Sequence, residues 1–199
     1  MNENGDDDVS GFTDIENDFF SNDVVNVYDS IDDDVDKCIR LLGGQKGSIG
    51  IERDFNVGVD TIQVEWQFDL IKFGYPETQV YTKIENEGSD TIAFFKLNGT
   101  THPFTETGLV DLCYYYDSEW ITLESGIQSN NNYNMTFVLN WTDGDDEGVL
   151  GFDGNEYEIL FENDQDTFGY LQIYGINNNN IVWGNLDIQI DWIRIIVMV

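Results

Sequence analysis

Residues 61–70 read TIQVEWQFDL, and apolar and polar side chains alternate along this stretch without exception. The apolar residues occupy every second position: Ile62, Val64, Trp66, Phe68 and Leu70. Because successive side chains of a β-strand point to opposite faces, the pattern predicts a strand with one buried and one solvated face. Strands of this kind are typical of antiparallel sheets.

Further strands are predicted on both sides of this stretch, since short apolar or alternating runs recur between turn residues. They are Ser48–Phe55, Val80–Glu85, Thr91–Leu97, Leu109–Tyr116, Trp120–Leu123, Asn134–Trp141, Gly148–Phe152, Glu156–Phe161, Phe168–Gly175 and Leu186–Val197. The dipeptide Asp153-Gly154 has the composition preferred in two-residue hairpin turns, and a weak helical pattern is confined to residues 33–42. The sequence therefore predicts an all-β protein with little or no helix, in which two antiparallel sheets form a β-sandwich.

The chain is strongly acidic, with 39 Asp and Glu residues, 8 Lys and Arg residues and a net charge of −31 over 199 residues. Nucleic acids and anionic membrane surfaces attract cationic proteins, so this charge argues against both as partners. An apolar run of about 20 residues would be needed to cross a bilayer, and the runs in this chain are much shorter. We therefore expect neither nucleic-acid binding nor membrane insertion.

The first residues, MNENGDDDVS, carry neither the basic end nor the apolar stretch of a signal peptide. Residues 1–8 are predicted to be a disordered acidic tail. No Pro-rich or Gly/Ser-rich linker interrupts the rest of the chain, so residues 9–199 are predicted to form a single domain.

Three stretches resemble the concanavalin A-like lectin/glucanase jelly-roll superfamily, especially its laminin G-like branch. Residues 36–70 place a Gly-rich turn before a long alternating strand, and residues 132–159 combine a strand pattern with an acidic turn and an Asp-Gly step. Residues 185–195 contain an Asp-aromatic-x-Arg string near their end. The resemblance covers about residues 12–199. It implies a jelly-roll β-sandwich of the superfamily's non-catalytic branch.

Glycoside hydrolases of this superfamily carry a strand-borne Glu-x-Asp-x-Glu or Glu-x-Asp-x-x-Glu motif, because retaining hydrolysis needs two carboxyl groups about 5 Å apart. The nearest string here, residues 162–166 (ENDQD), ends in Asp, and Glu65 and Asp69 share a strand face without a third acid. The superfamily's lyases cluster Arg, Gln, His and Tyr, a pattern that is missing here, and His102 is the one histidine of the chain. We therefore expect no enzymatic activity.

The acids Asp143, Asp145 and Glu147 alternate within a turn that ends in Gly148, a spacing at which oxygen ligands can surround Ca²⁺. The twelfth position is Gly rather than the Glu of an EF-hand, and a solvated acidic turn is the alternative. The resemblance implies a second structural Ca²⁺ site, which uses an Asp of the closing strand. Asp191 matches that position, and its N-terminal partners stay open among Asp14, Glu16 and Asp18.

The two cysteines, Cys38 and Cys113, allow one disulfide. In an oxidising compartment it would close a long loop and stabilise the fold by about 4 kcal/mol. Two buried free thiols are the alternative, and the spacing fits no Cys-x-x-Cys metal or redox site.

Three Asn-x-Thr sequons predict N-glycosylation at Asn98, Asn134 and Asn140, with unmodified surface asparagines as the alternative. Strand periodicity places Asn134 and Asn140 on the same face of their strand, opposite its apolar residues. If both carry glycans, that face is not a ligand-binding face.

Aromatic side chains are common in sugar-binding sites, since a ring stacks on the apolar face of a pyranose while polar neighbours bind hydroxyl groups. In residues 168–175 the apolar Leu171 and Ile173 alternate with a second set of aromatic and polar side chains. The ligand-binding residues predicted on this face and near it are Tyr170, Gln172, Tyr174, Trp183 and Tyr115. The alternative is that these tyrosines pack under loops or against a partner domain.

The sequence thus predicts a non-catalytic adhesion or binding module of an extracellular or cell-surface protein. Its expected ligand is a carbohydrate or a surface glycoconjugate, and its expected cofactor is structural Ca²⁺. A structural or assembly domain of a cell-surface or virion protein, in contact with sister domains, is the first alternative. A glycan-active hydrolase is the second alternative.

Overall fold

The computed structural model describes the following residues, to which all structural statements refer: 2–4, 13–18, 24–29, 37–43, 47–57, 61–72, 78–100, 108–129, 131–140, 147–161, 167–177 and 186–198. Their regular secondary structure is β-strand throughout. The strands are β1 (Asn2–Asn4), β2 (Thr13–Asp18), β3 (Val24–Asp29), β4 (Lys37–Gly43), β5 (Gly47–Val57), β6 (Thr61–Lys72), β7 (Thr78–Glu85), β8 (Thr91–Gly99), β9 (Leu109–Tyr116), β10 (Glu119–Gln128), β11 (Asn132–Asn140), β12 (Glu147–Phe152), β13 (Asn155–Leu160), β14 (Phe168–Asn177) and β15 (Leu186–Met198).

These strands form two sheets. Sheet A has the order β13-β12-β11-β6-β15-β4-β3, with β1 also paired to β15, and sheet B has the order β10-β9-β8-β7-β14-β5-β2. The strand pairs of both sheets are antiparallel. Apolar side chains from the two sheets meet in one buried cluster. The predicted all-β sandwich of two antiparallel sheets is therefore confirmed.

Strand β6 shows why the alternating sequence produces this packing. Its five apolar residues from Ile62 to Leu70 are each at most 4% exposed, whereas Gln63 and Glu65 remain partly exposed on the outer face. Burial of an apolar side chain of this size contributes about 2 kcal/mol. The strand lies between β11 and β15 in sheet A, so its backbone is paired on both sides while one face enters the core.

The predicted hairpin turn at Asp153-Gly154 joins β12 to β13. Both residues have positive φ angles, 46° for Asp153 and 85° for Gly154, as the mirror-image turns of tight hairpins require. Phe152 and Asn155 pair directly across the turn. Asp and Gly tolerate this backbone conformation, and the prediction is confirmed.

The weak helix predicted for residues 33–42 is wrong where the structure describes these residues, because residues 37–42 belong to β4. Ile39 and Leu41 are 2% and 0% exposed in the core. Arg40 lies between them and points outward, where its guanidinium donates two hydrogen bonds to Asp187, at 2.7 and 2.6 Å. Pairing with β3 and β15 stabilises this alternation. In the described part of the chain no helix is long and apolar enough to cross a membrane.

The predicted disordered tail of residues 1–8 also needs a correction. Asn2–Asn4 form β1, which pairs with residues 192–194 of β15. Because β4 pairs with β15 only as far as Ile190, the backbone groups beyond that residue need another partner, which β1 supplies. The rest of the predicted tail lies outside the described residues, and the division into a single domain stays a prediction.

Candidate functional site

The outer face of sheet B is the face that points away from sheet A, and β7 defines it. Val80 and Ile84 lie in the core at 7% and 0% exposure. Since side chains alternate along a strand, Tyr81 and Lys83 point outward. Both outward side chains are partly buried, so neighbours on the same face must cover part of their surface.

The strand register identifies these neighbours. Tyr81 pairs directly with Tyr174 of β14, and Trp120 of β10 pairs with Tyr115 of β9. Phe94 lies on β8, between β7 and β9, and its ring contacts Tyr115. Directly paired residues of antiparallel strands share a face. The register thus assembles an aromatic patch, defined by Tyr81, Phe94, Tyr115, Trp120 and Tyr174.

The rings of the aromatic patch pack against one another. Tyr81 lies between Phe94 and Tyr174, with ring centroids 5.3 and 5.1 Å away and interplanar angles of 26° and 20°. The Trp120 centroid lies 5.0 Å from that of Phe94 and 5.2 Å from that of Tyr115. Stacked and tilted pairs at these separations contribute about 0.5–1.5 kcal/mol each beyond their burial. The aromatic patch is therefore a preassembled surface that extends from β10 to β14.

A lysine lies within this surface. The Nζ atom of Lys96 is 4.0 Å from the ring centroid of Trp120, a separation typical of a cation–π contact. Burial lowers the pKa of Lys96, and the electrostatic interaction with Cys113 raises it. Burial also raises the pKa of the Cys113 thiol. A thiol that stays protonated is a poor nucleophile, so this corner of the face has no activated cysteine.

Polar side chains flank the rings on the β14 side. Gln172 of β14 donates a hydrogen bond from Nε2 to Glu52 Oε2 of β5 at 3.0 Å. Lys83 of β7 forms an ion pair with Glu85, two residues along the same strand. Carboxylate and amide oxygens accept hydrogen bonds, and amide and ammonium groups donate them. The face therefore combines apolar rings with both kinds of hydrogen-bonding group.

The two central tyrosines are protonated at neutral pH. Burial and, to a smaller extent, the charges of Tyr81 and Glu85 together raise the pKa of Tyr174 to about 12. Burial raises the pKa of Tyr81 as well. A general base has to be deprotonated at the working pH. These hydroxyl groups can form hydrogen bonds to a ligand, but they are not suited to take a proton from it.

Gly50 of β5 occupies the position that pairs with Tyr174. A Cβ atom at this position would lie 2.3 Å from Tyr174 Cβ and 2.4 Å from the carbonyl oxygen of Ile173. Only glycine allows the two backbones to approach so closely. As a result, the residue beside Tyr174 on β5 presents no side chain.

The structure places four of the five predicted ligand residues on this outer face. Tyr174 and Tyr115 belong to the aromatic patch, Gln172 lies beside it, and Tyr170 lies further along β14. Trp183 lies outside the described residues. That these residues bind a ligand stays a prediction.

Three members of the aromatic patch, Tyr81, Phe94 and Trp120, were not predicted from the sequence. Each lies in a strand that the sequence did predict, and Tyr81 alternates with core residues there. Phe94 is less obvious, because it precedes the buried Phe95 and the two apolar neighbours hide the alternation. The sequence could have identified these three residues as outward-facing positions of predicted strands. It could not show that they lie side by side, because that depends on the order of the strands in the sheet.

The predicted calcium ligands are described only in part. Asp191 of β15 accepts a hydrogen bond at Oδ2 from Asn132 Nδ2 at 3.0 Å. Asp143, Asp145 and the side chain of Glu147 lie outside the described residues. Among the side chains that are described, no three His, Cys, Asp or Glu residues come together as a metal-binding group. Calcium binding at either predicted site stays a prediction.

The predicted disulfide between Cys38 and Cys113 is wrong, because Cys113 is a free, buried thiol. Its Sγ lies 3.6 Å from Thr122 Oγ1 of β10, within sheet B. Cys38 belongs to β4 of sheet A. Cys113 pairs with Lys96 and Thr122 and so lies on the outer face of sheet B, which points away from sheet A. The alternative of a buried free thiol is correct for Cys113.

Two of the three predicted glycosylation sites lie on sheet A. Asn134 and Asn140 are exposed on the same face of β11, as its periodicity predicts. Asn98 lies on β8 in sheet B, partly buried, and accepts a hydrogen bond from Gln79 Nε2 at 2.9 Å. Glycosylation at these positions stays a prediction. A glycan on Asn98 would lie on the same face as the aromatic patch.

No protein-family model matches the chain, and no curated protein sequence matches it. Solved structures are similar to it. The carbohydrate recognition domain of Emp47p superposes with a TM-score of 0.64 at 10% identity, over 100% of this chain and 95% of that domain. Alginate lyase PA1167 from Pseudomonas aeruginosa superposes with a TM-score of 0.60 at 11% identity, over 86% of each chain. A sialidase has a TM-score of 0.60 at 10% identity over 87% of this chain, which spans 17% of the sialidase.

These similar structures include both a carbohydrate recognition domain and enzymes. At identities of 10 to 11% the likeness concerns the fold alone, and one fold can carry many functions. The resemblance seen in the sequence is confirmed at the level of fold: the chain has the concanavalin A-like jelly-roll fold.

Proposed function

We propose that this chain is a non-catalytic, carbohydrate-binding module of an extracellular or cell-surface protein, and that it binds glycan on the aromatic patch. The observation that carries the proposal is the convergence of five aromatic side chains from five strands on the outer face of sheet B. A ligand that fits this face must pack against apolar rings and also form hydrogen bonds to the polar groups beside them. Carbohydrates meet this requirement, because a pyranose has an apolar face and a rim of hydroxyl groups.

The arrangement of polar groups supports binding rather than catalysis. Proton abstraction by Tyr174 would need a phenolate, and a pKa of about 12 leaves about one molecule in 10⁵ deprotonated at pH 7. The carboxylate of Glu85 is ion-paired with Lys83, and that of Glu52 accepts a hydrogen bond from Gln172. Retaining hydrolysis would need one protonated and one free carboxyl group on either side of the bond. Glu52 and Glu85 are instead engaged with partners.

An assembly domain is the second candidate, and the stacking of the rings favours it. Tyr81 has Phe94 against one ring face and Tyr174 against the other, so its own faces are covered. A cluster of this kind can also serve as the apolar centre of a protein interface, where aromatic residues are enriched. Its partner would be a sister domain or a second copy of this chain.

We propose structural Ca²⁺ as a separate feature, bound at Asp143, Asp145 and Glu147 or at Asp191. Carboxylates are the ligands that Ca²⁺ prefers, and a cation would reduce the self-repulsion of a chain with a net charge of −31. Calcium-free protein should then melt at a lower temperature, with the stability restored by added Ca²⁺. Identical melting curves with EDTA and with Ca²⁺ would contradict both sites.

A glycan panel tests the proposed function directly. We expect at least one oligosaccharide to bind, with a change in tryptophan fluorescence because Trp120 lies in the aromatic patch. Trp120→Ala and Tyr174→Ala should each abolish the response. Val149→Ala is a matched control, since Val149 is an exposed apolar residue of sheet A at 37% exposure. This variant should bind as the unmodified protein does.

The other outcomes separate the candidates. No response to any glycan, together with self-association that Trp120→Ala abolishes, would support the assembly domain and contradict carbohydrate binding. Release of reducing ends or of unsaturated sugars from a bound polysaccharide would show that the module is an enzyme. Both measurements use the whole chain, and the melting temperature of each variant shows whether it is folded.

A further inference from the structure

The ring stack of the aromatic patch has one end that faces away from the other rings. Tyr81 is covered on both sides, and Phe94 contacts Trp120 at 5.0 Å and Tyr115 at 6.1 Å between ring centroids. Tyr174 stacks on Tyr81 of β7 and ends the described stack on the β14 side. Its side chain is partly exposed.

Strand β5 approaches β14 closely beside Tyr174. The residue of β5 that pairs with Tyr174 is Gly50, which is buried. A Cβ atom there would lie 2.3 Å from Tyr174 Cβ, so glycine is needed for this close approach. The part of Tyr174 that remains exposed belongs to the same outer face as Gln172 and Glu52.

Hydrogen-bonding groups lie next to this place on both strands. Glu52 follows Gly50 by two residues on β5, and Gln172 precedes Tyr174 by two residues on β14, so all four share the outer face. The hydrogen bond from Gln172 to Glu52 at 3.0 Å orients both side chains. The carboxylate has further acceptor capacity, as does the amide carbonyl group. This pair is suited to accept hydrogen bonds from sugar hydroxyl groups.

The charges of the outer face limit which sugars can occupy it. Its described carboxylates are Glu52, Asp54, Glu85 and Asp111, and its ammonium groups are Lys83 and Lys96. Lys83 is already paired with Glu85, and Lys96 lies over Trp120. The chain around them has a net charge of −31. An anionic sugar would be repelled here, whereas a neutral sugar would not, and repulsion of this kind is a common source of specificity.

We infer that the ligand is a neutral polysaccharide, one pyranose of which stacks on the exposed part of Tyr174 while Glu52 and Gln172 bind its hydroxyl groups. This inference rests on the proposed function, since it names the substrate class of the same face. It excludes glycans that carry carboxylate or sulfate groups.

Isothermal titration calorimetry with hexasaccharides of equal length tests the substrate class. The neutral set is cellohexaose, laminarihexaose, mannohexaose and xylohexaose, the acidic set is the hexamers of alginate and of galacturonate, and chitosan hexamer is the cationic probe. We expect a neutral oligosaccharide to bind at least about tenfold more tightly than either acidic one at 0.15 M salt. The difference should shrink as the salt concentration rises, because screening weakens the repulsion.

The results distinguish failure of the inference from failure of the proposed function. Tightest binding of an acidic hexamer, or of chitosan, would overturn the neutral class while carbohydrate binding stands. Failure of every hexasaccharide to bind would overturn the proposed function and the inference with it.

Substitutions locate the stacking site. Tyr174→Ala should weaken neutral binding by about tenfold or more, whereas Tyr174→Phe keeps the ring and should stay within about threefold. Tyr115→Ala, at the opposite end of the stack, should cost less affinity than Tyr174→Ala. Val149→Ala on sheet A is the control and should stay within about threefold. A larger loss with Tyr115→Ala than with Tyr174→Ala would overturn the position of the site.

A charge change at Glu52 tests the exclusion of acidic sugars. Glu52→Gln keeps a hydrogen-bonding side chain but removes the charge, and it should raise the affinity for the alginate hexamer by about threefold or more. The neutral hexasaccharide should bind less tightly, because the amide is a weaker acceptor than the carboxylate. An unchanged alginate affinity in a variant with an unchanged melting temperature would contradict the role of Glu52.

Discussion

The outer faces of the two sheets are built from the same alternating pattern but have different chemistry. Sheet A presents polar residues beside its central strands, among them Gln63, Glu65, Asn134 and Asn140. Sheet B presents the aromatic patch at the corresponding place. The polar groups of a solvated face form hydrogen bonds with water, whereas outward aromatic rings expose apolar surface that a ligand or a partner can cover. The difference shows that the strand pattern decides which residues face outward, and that the outward residues themselves decide the use of each face.

The largest expected effect concerns stability on sheet A. Arg40→Ala removes the partner of Asp187, which is 4% exposed, and leaves a buried carboxylate without its ion pair. The free energy of unfolding should fall by about 3 kcal/mol, as measured by chemical denaturation. Glycan affinity should not change, because Arg40 lies on the opposite sheet from the aromatic patch.

Arg194→Ala is the matched control on the same sheet. Its ion pair with Glu65 is 3.4 Å long, and the Arg194 side chain is 46% exposed. Solvent-exposed pairs contribute less than about 1 kcal/mol. If Arg194→Ala destabilised the protein as much as Arg40→Ala, burial of the carboxylate would not be the cause of the larger effect.

The second prediction concerns the centre of the aromatic patch. Tyr81→Ala removes stacking contacts with both Phe94 and Tyr174. We expect a loss of about 1–2 kcal/mol in the free energy of unfolding and about a tenfold loss in glycan affinity. Thr136→Ala, on the outer face of sheet A, should leave the affinity within about twofold. Equal losses of affinity in the two variants would show that sheet B is not the binding face.

The third prediction is a dependence of stability on alkaline pH. The folded protein raises the pKa of Tyr174 to about 12, above a value of about 10 in the unfolded chain. The contribution of Tyr174 to the free energy of unfolding is therefore fully present below about pH 10 and is lost as the pH rises towards about 12. Allowing for screening by solvent, the loss should be about 1 kcal/mol.

Denaturation curves at intervals from pH 9 to pH 12 measure this dependence. Tyr174→Phe should show a smaller decline than the unmodified protein, because it has no phenol to ionise. The same decline in both proteins would assign the effect to other groups.

The smallest expected effect concerns the cation–π contact of Lys96 with Trp120. Lys96→Met keeps most of the apolar part of the side chain and removes the charge, so the free energy of unfolding should fall by about 0.5–1 kcal/mol. A double-mutant cycle with Trp120→Leu isolates the pairwise contribution. A coupling energy of zero would show that the contact does not stabilise the face.

The sequence predicted much of the fold but little of the assembled site. Most strands from β5 to β15 were found within a few residues, because their apolar residues recur with a period of two. Strand β10 is the exception, since it continues to Gln128, five residues beyond its predicted end at Leu123. Strands β1 to β3 were missed, since short polar and acidic segments such as TDIEND carry no such period. The Asp153-Gly154 turn was found because its backbone demands those residue types.

The sequence by itself determined most of the residues that form β5 to β15, which side of most of these strands is apolar, and where the tight hairpin turns. These are local properties of neighbouring residues. The tertiary structure alone decided that β10, β9, β8, β7 and β14 lie side by side, which brings together Trp120, Phe94, Tyr81 and Tyr174. Lateral strand order depends on backbone pairing and core packing between distant segments, and periodicity within one strand carries no information about its neighbour. For the same reason only the structure could place Cys38 and Cys113 on different sheets.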